Sequence, residues 1–429
     1  MKMRKQQRFI QSTVYFPVII GLPLIIWTVA LFFYNGPLIL SNGENPVQRV
    51  LGEITASLAV TLLGFNLLMT TRSHRIERIL GGLDKMYLIH RRGALLAIVL
   101  LVLHAAVSPR YPEINPGKPL GVLAMGLIFL GIAVSAAPFF KRRLPYHKWL
   151  TMHRLMGPFF LLGVCHAFLV PTLLSKLPLV RSYILGIAIL GIGSWLYRTF
   201  LHRWLHPHNS YKVTNVKRLG NTVLALEMAP TGTPLRSFPG QFAFFKFPGI
   251  NPGESHPFTI ASAPGQNRLR IAIKKLGDFT NSLQEQIQVG STVNVEGPYG
   301  VFTQNRSSAK HQIWIAGGIG ITPFLAMAND LNNSELNATL YWTVCKKEDA
   351  FFDNELRHLA EHKPGLTYKL WLSDENGPLT AEAMPEITNS EKVDVFICGP
   401  EAFRRSLTAQ LRAAGIPRRS IHSEEFTFR

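Results

Sequence analysis

Four histidines lie inside long apolar runs, where an ionisable side chain is costly: His90 and His104 in one run, His153 and His166 in another. A lone histidine in such a place is ordinarily a hydrogen-bonding helix packer. Two pairs on two runs suggest more. His90 and His104 are 14 residues apart, close to four α-helical turns, so they share a face about 21 Å apart along the axis. His153 and His166 are 13 apart, or about 19.5 Å. If both helices run in one direction, His90 meets His153 at one depth and His104 meets His166 at the other. Two facing imidazoles at each of two depths are what two bis-histidine b-type haems require. The second spacing does not suit a straight helix, because thirteen residues fall roughly 140° short of whole turns. Gly157-Pro158 lies between the two histidines, and a proline kink that changes the winding is the expected remedy. His74, His147, His202, His206 and His208 fall at helix ends or in the linker and read as interfacial.

The elements that must carry these pairs are long helices. The chain of 429 residues is 47% hydrophobic and 17% charged, too apolar for an ordinary soluble enzyme, yet too rich in charge, Gly and Pro to be all membrane. The average hides two halves that part near residue 206. Before it, six runs can each span about 30 Å of hydrocarbon: 14–34, 50–70, 87–107, 120–140, 149–170 and 182–202. The first is too long for a cleaved signal peptide. Basic residues are dense at the N-terminus (Lys2, Arg4, Lys5, Arg8), in the second loop (Arg72, Arg75, Arg78, Lys85) and in the fourth (Lys141, Arg142, Arg143, Lys148). The other loops are poorer. This alternation predicts both ends on the cytoplasmic side of the cell's inner (plasma) membrane. The formal charge of +19 is then a topology signal, and no nucleic-acid partner is expected. Three cysteines at no regular spacing exclude a disulfide scaffold and a Cys-rich metal site. Arg49 and Glu53, four residues apart at the outer end of the second span, read as an ion pair or as the lining of an outer pocket.

After residue 206 the pattern is of short strands. Tyr211–Val216, Thr222–Met228, Phe242–Phe247, Leu269–Lys274 and Thr292–Glu296 predict a small antiparallel barrel. Gly277-Asp278-Phe279-Thr280 suits a phosphate at a helix start, although an ordinary turn gives the same pattern. From 312 strands alternate with helices: Gln312–Ala316, Ala338–Val344, Thr367–Leu372 and Val393–Ile397. The first runs into Gly317-Gly318-Ile319-Gly320-Ile321-Thr322-Pro323-Phe324, a Gly-rich turn into a helix suited to a pyrophosphate. The last runs into Cys398-Gly399-Pro400. Together they predict a nucleotide-binding α/β domain with a parallel sheet.

His-Pro-Phe-Thr-Ile-Ala-Ser at 256–262, Gly-Pro-Tyr-Gly at 297–300, the Gly-rich turn, Cys-Gly-Pro at 398–400 and the aromatic tail at 424–429 resemble the ferredoxin–NADP reductase superfamily. Joined to six spans with paired histidines, they resemble the NADPH oxidase/ferric reductase family in a short bacterial form. That resemblance implies an FAD whose isoalloxazine is flanked by Phe258, with Thr259 near N5 and His256, Pro257 and Ser262 placing the ring. It implies that Gly277 and Thr280 hold the FAD pyrophosphate. Gly318 and Gly320 would take the NAD(P)H pyrophosphate, with Gly317, Thr322, Pro323, Gly399 and Pro400 around the nucleotide. Cys398 would sit beside the nicotinamide C4, and Phe426, or else Phe428, would cover the flavin until nicotinamide displaces it. Thr259, Cys398 and Phe426 are thus the candidates at the reacting atoms. A hydride carries two electrons and a haem accepts one, and a flavin mediates between them. Ser108 stands four residues after His104, where animal oxidases tend to place a histidine, which loosens the expectation of oxygen as acceptor.

The expected molecule has three parts: 1–206, six transmembrane helices with two haems b; 207–308, an FAD-binding β-barrel; and 309–429, an NAD(P)H-binding α/β domain. It would pass electrons from cytosolic NADPH or NADH to an external acceptor, oxygen first and ferric chelate second. A subunit feeding a periplasmic redox partner and a nucleotide-gated channel or transporter are the alternatives.

Overall fold

The computed structural model describes residues 12–34, 45–108, 117–136, 146–170, 173–205, 208–250, 254–331, 336–388 and 393–424. Two compact units divide after His206.

The first unit is helical: α1 (Ser12–Phe33), α2 (Pro46–Met69), α3 (Leu83–Val107), α4 (Gly117–Ala136), α5 (Tyr146–Arg154), α6 (Met156–Leu169) and α7 (Pro178–Leu196). Among the described residues six helical stretches are long and apolar enough to cross a membrane, with α5 and α6 together forming the fifth. Lipid lacks hydrogen-bonding partners, so backbone groups must be satisfied within the helices. Small residues let the helices close up. A Cβ on Gly93 of α3 would meet Asn66 Oδ1 of α2 at 2.8 Å, and one on Gly191 of α7 would meet the Gly64 Cα of α2 at 3.1 Å. Trp27 of α1 donates its indole N–H to Ser57 of α2 at 3.1 Å. Around that bond Val50, Leu173, Leu174, Leu177, Val180 and Ile184 form a buried cluster.

The fifth span breaks where the expected remedy lies. Pro158 has no N–H to give Arg154 O. The helix is interrupted at Leu155, whose N–H bonds Met152 O three residues back. The carbonyl that proline leaves free accepts instead from the indole N–H of Trp195 at 2.8 Å.

In the second unit, β1 (Asn209–Leu219), β2 (Val223–Pro230), β3 (Phe242–Lys246), β4 (His256–Thr259), β5 (Leu269–Lys274) and β6 (Thr292–Tyr299) form an antiparallel sheet of order β4-β3-β6-β1-β2-β5. Its two edges curl toward each other: Ala261 N–H, just past β4, bonds Arg270 O of β5 at 2.8 Å. Inside lie Tyr211, Leu226, Phe245, Phe247, Ile271 and Val295. The helix α8 (Asp278–Gln286) follows β5. Then β7 (His311–Gly317), α9 (Thr322–Asp330), β8 (Asn337–Val344), α10 (Asp353–His362), β9 (Leu366–Leu372), β10 (Val393–Cys398), α11 (Glu401–Ala413) and β11 (Ile421–Ser423) build an α/β layer structure. Its sheet is parallel, in the order β11-β10-β7-β8-β9. One buried cluster runs through both sheets' neighbourhoods, joining Val223, Ala272 and Phe302 to Trp314, Phe324, Trp342 and Phe396.

Candidate functional site

The helical unit brings the four histidines together in two pairs. The His90 and His153 ring centroids are 6.0 Å apart with planes crossed at 71°, and those of His104 and His166 are 6.2 Å apart at 72°. Neighbouring helices orient the rings through main-chain carbonyls. His90 Nδ1 lies 3.2 Å from Asn66 O and His104 Nδ1 lies 2.8 Å from Gly52 O, both on α2. His166 Nδ1 lies 2.8 Å from Gly117 O on α4. Asn66 O is available because Thr70 N–H, in the last turn of α2, bonds Leu67 O instead. Gly121 of α4 passes so close to the His166 ring that a Cβ there would run into it. Trp149 stacks on His153 at 5.1 Å.

A metal–imidazole bond is about 2 Å, so two imidazoles on opposite sides of one metal put their ring centroids roughly 6 Å apart. Both pairs have that spacing. Among the described residues no three His, Cys, Asp or Glu groups gather as a cage for a bare ion. A pair suits a metal that brings its own equatorial ligands, as haem does. The donor set and spacing therefore fit haem. Near the His104–His166 pair, Ser108 Oγ lies 3.1 Å from His104 Nδ1. Arg49 and Glu53 are an ion pair at 3.6 Å, and Glu53 Oε1 also accepts Leu173 N–H at 2.8 Å.

In the second unit the His256–Ser262 segment is β4 and the turn after it. His256 stacks on Phe279 at 3.6 Å and lies 3.2 Å from Glu254 Oε2. Phe258 packs beside Phe245, with centroids 5.9 Å apart. Pro257 pairs in register with Phe244 and Thr259 with Phe242. Ser262 Oγ accepts Arg270 N–H at 3.2 Å. Thr280 Oγ1 accepts the N–H groups of Leu276 and Gly277 at 2.9 and 3.0 Å, so its hydroxyl caps the start of α8, while Gly277 faces open space. That helix start and open glycine fit a pyrophosphate.

The Gly-rich turn and the Cys398–Pro400 segment meet at the carboxyl ends of β7 and β10. Ala316 and Cys398 are in register. A Cβ on Gly320 would strike Cys398 O, and one on Gly317 would meet Phe403 and Pro400. Gly318 has φ +55 and open space in front of it, so of these glycines it is the one a phosphate can approach. Thr322 Oγ1 donates to Ile319 O at 3.2 Å, and Pro323 sits in the first turn of α9. Cys398 is buried. Burial first, then the Glu424 carboxylate, pushes its thiol well above the usual range, against the opposing pull of Arg404. Phe426 and Phe428 lie outside the described residues.

The sequence did not disclose the carbonyls of Asn66, Gly52 and Gly117, since a backbone acceptor leaves no mark on residue type. Glu254 carries no motif of its own, and Phe279 and Glu424, although inside quoted segments, have no individual role legible in the sequence. The acids within two residues of His256 and Phe426 were the available signal.

Residues 55–164 match the ferric reductase like transmembrane component, 208–303 an FAD-binding domain and 314–408 an oxidoreductase NAD-binding domain. The chain is 30% identical over 204 residues to respiratory burst oxidase homolog protein E of Arabidopsis thaliana, covering 40% of this chain and 21% of that protein. It is 25% identical over 232 residues to the reductase component of propane 2-monooxygenase from Rhodococcus jostii (strain RHA1), covering 50% of this chain and 63% of that one. The FAD/NAD-binding domain of nitric oxide dioxygenase from Vibrio cholerae aligns at 24% identity with a TM-score of 0.46, over 51% of this chain and 98% of that domain. This chain thus spans about a fifth of the plant protein and under two thirds of the reductase component. It is a multi-pass membrane oxidoreductase in which a ferric reductase like transmembrane component is joined to an FAD- and NAD-binding module.

Proposed function

We propose that the chain carries electrons from cytosolic NAD(P)H through FAD and two b-type haems to an acceptor outside the cell's inner membrane, with oxygen the acceptor. Each NAD(P)H yields two electrons and one proton, so two O2 become two superoxide ions as NAD(P)H becomes NAD(P)+. The observation that carries this reading is the pair of crossed imidazole couples, each at the spacing of a shared metal, in a chain that also holds FAD- and NAD-binding domains. FAD would supply the exchange of electron pairs for single electrons, and each haem a one-electron carrier.

The residues do the positioning. A proton on Nδ1 of His90, His104 and His166, donated to Asn66 O, Gly52 O and Gly117 O, leaves Nε2 unprotonated and aimed for ligation. Phe258 and Thr259 would border the flavin, and Gly277 at the start of α8 its pyrophosphate. Gly318 would face the nucleotide's pyrophosphate. Cys398, kept a neutral thiol by its burial, would lie beside the nicotinamide. Phe426 is assigned the flavin cover.

Ferric chelate is the second reading, favoured by Ser108 at the outer pair and by the match to a ferric reductase like component. Anaerobic titration of purified protein with NAD(P)H tests the route: flavin bleaching should be followed by haem bands equivalent to two haems per chain. Separate additions of oxygen and ferric citrate should then show which reoxidises the protein faster. A protein without haem bands, or haem that NAD(P)H cannot reduce, contradicts the proposal.

A further inference from the structure

Arg270 holds two things at once. Its backbone closes the seam of the antiparallel sheet: its carbonyl accepts Ala261 N–H at 2.8 Å and its N–H donates to Ser262 Oγ at 3.2 Å. Both partners belong to the His256–Ser262 segment assigned above to the flavin. Its guanidinium reaches the other sheet's layer. Two N–H groups bond Glu355 Oε1 and Oε2 at 2.7 and 2.9 Å, and the guanidinium carbon lies 5.2 Å from the centre of the Phe352 ring. Glu355 is in the first turn of α10, where the helix dipole favours an acid. Phe352 is buried in the cluster containing Trp342 and Ala316, the latter beside the Gly-rich turn.

A two-toothed guanidinium–carboxylate pair fixes angle as well as distance, which a lysine cannot do. Both partners are half-buried, so water screens them less than an exposed pair.

We propose that Arg270 is a positioning residue for hydride transfer, setting the spacing between the flavin-side sheet and the nucleotide-binding domain through Glu355. In the step it would serve, the nicotinamide C4–H bond would break and its hydrogen would leave with both electrons for flavin N5. NAD(P)H is oxidised to NAD(P)+, and the flavin is reduced by two electrons. A displacement of about 1 Å in such a step costs on the order of a hundredfold in rate, so a clamp at the junction acts on the limiting rate more than on nucleotide affinity.

This inference rests on the proposed NAD(P)H-to-FAD route. The test is anaerobic stopped-flow reduction of the full-length protein in detergent, with rates expressed per bound FAD. Arg270→Lys and Glu355→Gln should lower the limiting rate of flavin reduction about tenfold or more, leaving the NAD(P)H concentration at half-maximal rate within about twofold. The double exchange Arg270→Glu/Glu355→Arg should recover most of the rate, as a charge pair predicts and a packing defect does not. An unchanged limiting rate in both single variants overturns the proposal, as does a double exchange no faster than the single variants. If the loss lies wholly in FAD content, with the rate per flavin unchanged, Arg270 is structural and the proposal fails. A wild-type protein that NAD(P)H cannot reduce would instead sink the underlying route.

Discussion

Cys398 shows how burial decides the chemistry of one group. Alkylation needs the thiolate, and a thiol whose pKa is raised by burial stays protonated at a pH where an ordinary cysteine, with pKa about 8.5, begins to ionise. At pH 8 iodoacetamide should therefore label the exposed Cys345 and spare Cys398, as peptide mass mapping would show. Labelling of Cys398 at the rate of Cys345 would refute its neutral, enclosed state. Charge rather than burial governs Lys346 and Lys347, which stand exposed just after β8 beside Glu348 and Asp349. Two lysines attract a ribose 2′-phosphate as point charges, while the acids weaken that field and can accept from a 2′-hydroxyl. The preference for NADPH over NADH should thus stay within about tenfold, or about 1.4 kcal/mol, and fall in Lys346→Ala/Lys347→Ala. Measured kcat/KM ratios above a hundredfold, or a ratio the double variant leaves unchanged, would place the discrimination elsewhere.

At the scale of elements, the break at Leu155 is what reconciles a 13-residue spacing with two facing pairs. Trp195 supports it by taking over the carbonyl of Arg154 and by packing its ring where a Cβ on Gly157 would lie. Trp195→Phe keeps an aromatic side chain but removes the N–H together with the five-membered ring that packs at Gly157. It should cost about 1 kcal/mol and, on the proposed two-haem reading, let the haem assigned to the His90–His153 pair be lost at a lower temperature than the other. Simultaneous loss of both, or none, would show that the kink does not depend on this bond. The sequence made the six spans legible because lipid demands unbroken apolar runs, and it made the longer strands legible because their side chains alternate. It hid β4, because Pro257 cannot donate to a ladder. The structure places that strand at an edge of its sheet, where a proline is tolerated. The histidines could be paired from their spacing together with a common helix direction, and Pro158 marked the break, but the indole that satisfies the freed carbonyl comes from another helix, which no local pattern encodes. Arg270 reads locally as one more alternating strand residue. Its bond to Glu355, 85 residues away, is a product of tertiary folding.

For the whole molecule, the proposed route is directional: electrons would enter on the cytosolic side of the membrane and leave at the opposite one. A protein that only bound NAD(P)H and haem on one side would satisfy every spectroscopic expectation and still not do this. Sealed proteoliposomes containing a trapped superoxide detector or ferric chelate separate the two cases. With NAD(P)H added outside, molecules whose nucleotide module faces outward should reduce the enclosed acceptor, and His104→Leu, which removes one member of the His104–His166 pair, should abolish this while leaving NAD(P)H-dependent flavin reduction intact. No reduction of the enclosed acceptor until the vesicles are broken, or transfer undiminished in His104→Leu, would contradict electron passage across the membrane through the two histidine pairs.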